Sequence, residues 1–393
     1  MQALYRRPNN KDTKVEGKLE KMDARDLGIP FEGKTGAFNA ITDVPGVTVG
    51  YATLLQGDGQ LEVGKGPVRT GVTAILPASD RSTLSPVWAG MYALNGNGEM
   101  TGTHWIQDAG YFLSPICISN THAVGTVHQA VTKWMVDTYK EQYHRRHLWA
   151  MPVVAETYDG ILNDINGFHV KEHHVLEALE TAKSGKIDQG NVGGGTGMIC
   201  YEFKGGTGTS SRQVDIDGEN YHIGVLVQAN HGKRDWLNVA GVPVGKHLTE
   251  HVLYGKEMGS IIVIIGTDIP MLPHQLRRLA KRAAIGIGRS GTPGGNDSGD
   301  IFLAFSNANE MEIPQQEKAR LHMDLINDEY FDCIYEQAVH AVDEAIINAM
   351  VSAEDMTTLK PEGKVIKAID HQELLAVLRR YNRVSPEKEG ERS

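Results

Sequence analysis

A layered α+β fold is what this sequence predicts, and three observations lead there. Apolar strand-like runs and amphipathic helical stretches arrive in groups along the chain, not in the strict alternation that builds a doubly wound parallel sheet. No internal repeat, low-complexity block or Pro/Ser-rich linker divides the 393 residues, which points to one domain with a sizeable core. With 40% hydrophobic and 22% charged residues, the composition is that of an ordinary globular protein.

Residues 1–26 are polar and charged and read as an arm, with the ordered domain running from 27 to 384 and a polar tail at 385–393. Phe38 to Leu54 is β-rich and broken by Pro45-Gly46, a turn between two strands. Val72–Pro77 and Pro86–Leu94 are further apolar runs, the second ending in the turn-prone Asn95-Gly96-Asn97-Gly98, and Ile116–Ser119 closes this group. From Ala123 to Tyr139 the period changes: Val124, Val127, Ala130, Val131, Trp134 and Met135 form the stripe of an amphipathic helix. Pro152–Ala155 returns to strand and Val175–Ala182 to helix. Glycines gather between Gly190 and Thr209, around an expected strand at Met198–Phe203. His222–Gln228 and Ile261–Ile265 read as buried strands and Leu272–Ala284 as a helix that leads into a glycine-dense loop. After a short strand at Ile301–Phe305 come helices at Asp332–Ala353 and Asp370–Tyr381, the latter with Asp370 as N-cap.

Several function classes fall away. A net charge of −10 argues against an extended nucleic-acid surface, and the basic cluster from Gln275 to Arg282 suits the solvated face of a helix. Cys117, Cys200 and Cys333 are far apart among apolar neighbours, which is neither a disulfide framework nor a metal knuckle. There is no apolar signal region near the start and no run long enough to span a membrane, so a cytoplasmic location without membrane contact is expected. Gly286-Ile287-Gly288-Arg289-Ser290-Gly291 spells the dinucleotide fingerprint, but a helix precedes it and a Thr-Pro-Gly-Gly loop follows, the wrong setting for pyrophosphate. His169-Val170-Lys171-Glu172-His173 spells an inverted zinc-protease pattern without a placed third ligand. No cofactor or metal is expected.

The chemistry concentrates at Gly286 to Asn307. Six glycines and a proline within residues 286–299 allow strained dihedrals without a Cβ penalty, and the loop delivers one serine, Ser298, to the start of a strand. A serine hydroxyl needs a base, and no histidine lies nearby in sequence. The serine's own α-amino group would serve once the preceding peptide bond is cut, since its ordinary pKa of about 7.7–8.0 suits general-base catalysis near neutrality. From the residues alone, an Asn-Asp-Ser-Gly stretch is more often only a turn.

Longer segments carry a resemblance. Arg25–Phe31, Asn39–Val47, Gly66–Thr73, Asn95–Gly102, Gly190–Gly197 and Ser298–Phe302 resemble, in order, the L-aminopeptidase/D-esterase and β-peptidyl aminopeptidase family of self-processing serine hydrolases, over residues 25 to 382. The resemblance implies a four-layer αββα sandwich, analogous to N-terminal-nucleophile hydrolases but differently connected. It implies cleavage between Asp297 and Ser298, giving segments 1–297 and 298–393, with Ser298 as nucleophile and, through its new amine, as base. The family's Glu-x-Tyr element falls at Glu156-Thr157-Tyr158, where the carboxylate would hold a substrate ammonium and the phenol would line the centre. The oxyanion asparagine falls at Asn230, a donor for charge that develops in the transition state.

Two departures stand out. Relatives usually carry Asn or Gly before the nucleophile, and this chain has Asp297. The family's Ser-x-Glu or Asp-x-Asp pair on the helix behind the nucleophile falls by position at Ala341-Val342-Asp343 with its first member missing, a literal Ser352-Ala353-Glu354 sitting at the helix end, so Asp343 is the candidate, with Glu344 beside it still open. The implied substrates are short peptides, amino-acid amides or esters with an L-, D- or β-residue at the free amine, and the implied assembly is a homo-oligomer, tetramer or larger. An acyltransferase of the ornithine acetyltransferase type and a non-catalytic binding protein are the alternatives.

Overall fold

The computed structural model describes residues 22–78, 82, 84–145, 147–257, 259–314 and 319–384. In chain order the first part comprises β1 (Thr48–Gln56), β2 (Val68–Leu76), β3 (Val87–Ala93), α1 (Thr103–Ala109), β4 (Tyr111–Phe112), β5 (Ile116–Asn120), α2 (Val124–Thr138), α3 (Lys140–Arg145), β6 (Val153–Thr157) and α4 (Glu172–Glu180). There follow two-residue strands β7 (Ile199–Cys200) and β8 (Phe203–Lys204), then β9 (Gly206–Ile216), β10 (Glu219–Asn230), β11 (Ser260–Thr267), α5 (Pro273–Ala280), α6 (Ala283–Arg289) and β12 (Ile301–Ser306). The chain closes with α7 (Phe331–Val351), the hairpin β13 (Met356–Leu359) and β14 (Glu362–Ile366), and α8 (His371–Arg380), capped by the Asp370 carboxylate on the Glu373 N–H at 2.9 Å.

Two sheets stack face to face. One has the order β1-β2-β5-β6 and the other β4-β3-β12-β11-β10-β9. Side chains decide the layering, since successive residues of a strand point to opposite faces. On β11, Ile262 and Ile264 join Leu303 and Phe305 of β12 and Ile116 and Ile118 of β5 in the core between the sheets. Ile261, Val263 and Ile265 turn the other way, into a core with Leu276, Leu279, Ala283, Ile287 and the buried side of α7. The outer face of the four-stranded sheet is closed by α2 and α4 through Val127, Val131, Met135, Val175 and Leu179. The result is the expected αββα sandwich. No helix among the described residues is long and apolar enough to cross a membrane.

Several local expectations change. Ile41–Asp43 forms a short 3-10 turn and the strand begins only at Thr48. The expected strand at Met198–Phe203 is a hairpin of two-residue strands pivoting on Tyr201 and Glu202, both at positive φ. The helix from Leu272 ends at Ala280, and a second one, α6, carries Gly286 and Gly288, so the glycine-rich loop starts only after Arg289. Residues 22–26, assigned to the arm, are docked: Ala24 is fully buried and its N–H donates to Asn348 Oδ1 at 2.9 Å. The remainder of that arm and the tail from 385 lie outside the described residues.

Strand β9 escaped the sequence reading because Gly-Thr-Gly-Thr-Ser-Ser-Arg lacks apolar alternation. It is buried all the same, since its small polar side chains bond to their surroundings: Thr209 Oγ1 to Val225 O, Ser210 Oγ to Ala341 O and Ser211 Oγ to Asp43. Gly208 lets α7 lie directly on the strand, where an added Cβ would sit 2.0 Å from Ala345 O. Gly208→Ala should therefore destabilise the protein by about 1–3 kcal/mol, read as a lowered urea midpoint with unchanged slope.

Candidate active site

Five strand ends converge at one edge of the sandwich. β11 and β12 run parallel and both start there, with Ile262 opposite Ile301. β10 ends there at Asn230, opposite Ser260, and β3 ends there at Ala93, opposite Ile301. From the four-stranded sheet, β6 ends at Glu156 and Thr157.

The nucleophile candidate sits in a tight turn. The Ser298 N–H donates to Gly295 O at 3.1 Å, which places Asn296 and Asp297 at the turn centre and Ser298, fully buried, at its exit. The Ser298 hydroxyl donates to Asp300 Oδ1 at 2.5 Å, and Asp300 Oδ2 accepts from Asn95 Nδ2 at 3.1 Å. Burial pushes the Asp300 carboxyl above its ordinary range, and the hydrogen bonds from Ser298 and Asn95 pull it partly back. The Gly299 N–H donates to Ser260 Oγ at 2.9 Å. Gly299 has no room for a side chain, because a Cβ would lie 2.3 Å from Asn97 O. The Asp297 carboxylate is exposed and accepts from Asn296 Nδ2, while its main-chain carbonyl accepts from Asn97 Nδ2 at 2.6 Å.

Glu156 is 4% exposed, and its partners among the described residues are the Glu99 N–H at 2.9 Å and the Thr121 hydroxyl, not a lysine or arginine. Burial raises its pKa, partly offset by those two donors. The Asn230 side chain is fixed at both ends: Oδ1 accepts from the Ile199 N–H at 2.8 Å, and Nδ2 donates to Tyr158 O at 3.1 Å. The Tyr158 phenol lies over Gly160, where a Cβ would sit 2.3 Å from Oη, and its ring is 40% exposed. Beside Asn230 and Tyr158 a cavity of about 30 Å³ is walled by Ile161, Ile199, Leu253 and Ile366. A larger one of about 120 Å³, lined by Leu76, Leu113, Trp134 and Tyr139, contains none of the residues above.

The structure therefore links Ser298 with Asp297, ties Asn230 to Tyr158, and puts Glu156 against the Gly98-Glu99 segment that also meets Gly299. It does not bring Asp343 to the Ser298 hydroxyl. Asp343 is buried on α7 and pairs with Arg289 Nε at 3.2 Å, its carboxyl pushed up to about 6 by burial against the pull of that guanidinium. Glu344 is likewise engaged elsewhere, accepting from Arg212 at 2.6 Å, Arg25 at 2.8 Å and Asn39 at 2.6 Å. The carboxylate on the hydroxyl is Asp300. Asp300, Asn95, Asn97, Thr121 and Ser260 were not singled out from the sequence. Asn95 and Asn97 lay in a turn-prone stretch that carried the resemblance but no assigned role, and Asp300 stood two residues beyond the serine.

Comparison with known proteins shows what the whole chain is similar to. The chain superposes with a TM-score of 0.88 on the L-aminopeptidase D-Ala-esterase/amidase of Ochrobactrum anthropi, described as a prototype serine aminopeptidase with a variant of the Ntn hydrolase fold. That match covers 92% of this chain and 99% of the other, at 54% identity. A Burkholderia sp. β-aminopeptidase superposes at 0.83 with 44% identity, covering 93% and 100%. The β-peptidyl aminopeptidase BapA of Sphingosinicella microcystinivorans is 51% identical over 380 residues, 93% of this chain and 94% of that protein. Fold and relatives together define a hydrolase of peptide and amide bonds with aminopeptidase function. Residues 39–363 match peptidase family S58, and the chain belongs to that family.

With Arg212 and Glu344 both fully buried, truncating the acid leaves a guanidinium uncompensated in the core. Glu344→Ala should cost about 3–5 kcal/mol, measured by chemical denaturation of the purified protein.

Proposed function

We propose that this protein cuts its own chain between Asp297 and Ser298 and then acts as an aminopeptidase through the new N-terminal serine. The observation that carries the reading is the turn itself. Its carbonyl accepts from the Asn97 amide and the hydroxyl of the next residue donates to a buried carboxylate, two contacts that an intramolecular acyl shift would use. Once the bond is cut, the Ser298 α-amine lies on the same residue as its hydroxyl and can take the proton during attack on a substrate carbonyl.

Glu156 is the group that holds a substrate ammonium, because a buried carboxylate with only neutral donors is electrostatically incomplete until a cation arrives. Asn230 supplies an N–H for the oxyanion, pre-aimed by its two backbone hydrogen bonds. Tyr158 walls the reacting centre, and the small apolar cavity beside it limits the bulk of the side chain accepted. The substrates are short peptides, amino-acid amides or esters with a free amine on an L-, D- or β-residue. Assembly as a homo-oligomer, tetrameric or larger, belongs to the same reading.

Ser298→Ala should remain a single band of 43.0 kDa on a denaturing gel while the unaltered protein splits in two. An unaltered protein that stays intact yet hydrolyses substrate would sink the N-terminal-serine mechanism. N-acetylating a good substrate removes the ammonium and should lower kcat/KM on the order of 10²-fold or more, and unchanged turnover would take Glu156 out of its role.

A further inference from the structure

Tyr158, His122 and Phe168 all stand exposed beside the edge where the parallel strands β5 and β6 end. Tyr158 comes two residues after Glu156. His122 follows Thr121, whose hydroxyl donates to Glu156 Oε2, and Phe168 stacks on His122 with ring centroids 5.8 Å apart and planes 23° from parallel. A large apolar side chain is ordinarily turned inward, yet Phe168 is 58% exposed. Its backbone is also left-handed, φ 51° and ψ 49°, a conformation that bulky residues rarely adopt.

Fixed contacts hold that ring outward. The Phe168 N–H donates to Ile165 O at 3.4 Å and the Gly167 N–H to Asp164 O at 3.1 Å, which closes a short turn. Buried Asp164 pairs through Oδ2 with His169 Nε2 at 2.8 Å, so the first histidine of the zinc-like pattern serves as a staple for this turn. On the other side of the stack, Asn120 Oδ1 accepts from the His122 and Ala123 N–H groups at 3.0 Å each, and Asn120 Nδ2 donates to Thr70 Oγ1 at 2.9 Å. The turn also reaches Tyr158. Its phenol and the Ile165 side chain close over Gly160, where an added Cβ would lie 2.3 Å from one and 2.9 Å from the other.

We propose that His122 and Phe168 form an aromatic shelf that receives the side chain of the substrate's amino-terminal residue when that side chain is aromatic or large and apolar. This rests on the reading of Glu156 as the partner of the substrate ammonium and on no detail of the nucleophile. In an α-residue the ammonium and the side chain share one carbon, so an amine held at Glu156 brings the side chain among the groups that flank that carboxylate. Burial raises the Glu156 pKa, and His122 is among the neighbours close enough to pull it back. The cavity beside Tyr158, about 30 Å³, is on the scale of a water or two and suits a methyl group. A benzyl group needs another place, and the shelf offers it a ring face for offset stacking.

The test compares the p-nitroanilides of alanine and phenylalanine on the full-length protein and reads the ratio of their kcat/KM values. Phe168→Ala should lower the phenylalanine-to-alanine ratio about 3–10-fold, the scale for loss of one aromatic pairing, carried mainly by KM for the phenylalanine substrate. Phe168→Tyr should hold the ratio within about twofold, since the ring face is kept. His122→Ala removes the ring behind Phe168 and should move the ratio in the same direction as Phe168→Ala. A purely structural role would lower both substrates together and leave the ratio in place. An unmoved ratio in Phe168→Ala overturns the proposal, and so does a fall of equal size in Phe168→Tyr. Because Phe168 is mostly exposed, these replacements leave the core intact. Equal hydrolysis of phenylalanine p-nitroanilide with and without an N-acetyl group would defeat the Glu156 reading and the shelf with it, whereas an unmoved ratio with the amine requirement intact removes the shelf alone.

Discussion

The site depends on a strap that ties one sheet to the edge of the other. After β3 leaves the six-stranded sheet, Leu94 donates its N–H to Asp300 O at 2.9 Å, and seven residues later the chain is clamped to β6. There the Thr101 N–H donates to Val154 O at 2.9 Å, while Thr101 Oγ1 accepts from the Val154 N–H and donates to Pro152 O at 2.6 Å. Between these anchors lie Asn95 on Asp300, Asn97 on Asp297 and Glu99 on Glu156. Two sheets packed through apolar side chains alone are free to slide by fractions of an ångström, because hydrophobic burial has no direction. Hydrogen bonds have direction, and the strap uses them to fix the distance between a carboxylate from one sheet and a hydroxyl from the other.

Burial sets the electrostatics of that mouth. Glu156 and Asp300 are both carboxylates whose pKa is raised first by desolvation, and both are answered only by neutral donors among their hydrogen-bond partners. Contrast Glu344, equally buried but ringed by Arg212, Arg25 and Asn39. The fold thus distinguishes two kinds of buried acid. One is neutralised within the chain and holds α7 against β9 and the segment before β1. The other lies at the strand ends and is met by neutral hydrogen-bond donors.

Much of this was legible in the sequence, and the failures have physical causes. The strands that carry apolar residues on both faces, such as β11, and the helices with a clear stripe, such as α2 and α7, announced themselves through periodicity. β9 did not, because its burial is achieved by small hydroxyl side chains under a helix and not by hydrophobic alternation. The glycines at 286 and 288 looked like loop residues, yet Gly286 is in α6 because a Cβ there would lie 2.5 Å from Val342 on α7. Asp343 was favoured over Glu344 by an implied motif, and sequence carries no distances to show that the Ser298 hydroxyl meets Asp300. Asn97 was the hardest to see. Its role depends on a contact with Asp297, two hundred residues away, made by a stretch whose composition says only that it turns.

The same geometry bears on Asp297. A carboxylate next to a scissile carbonyl is harmful when it desolvates with it or competes for the same donor. Neither occurs here: the side chain is exposed and answered by Asn296, while Asn97 is reserved for the main-chain oxygen. At ordinary ionic strength an exposed charge is screened over about 8–10 Å, so the Asp297 carboxylate acts weakly on the buried groups behind it. The turn therefore asks its second central residue for a backbone carbonyl and little else. Gly299 cannot change so freely, because an added Cβ would meet the backbone oxygen of Asn97 at 2.3 Å. What the fold constrains in this turn is the path of the main chain, and the side chain of Asp297 is the part it leaves to vary.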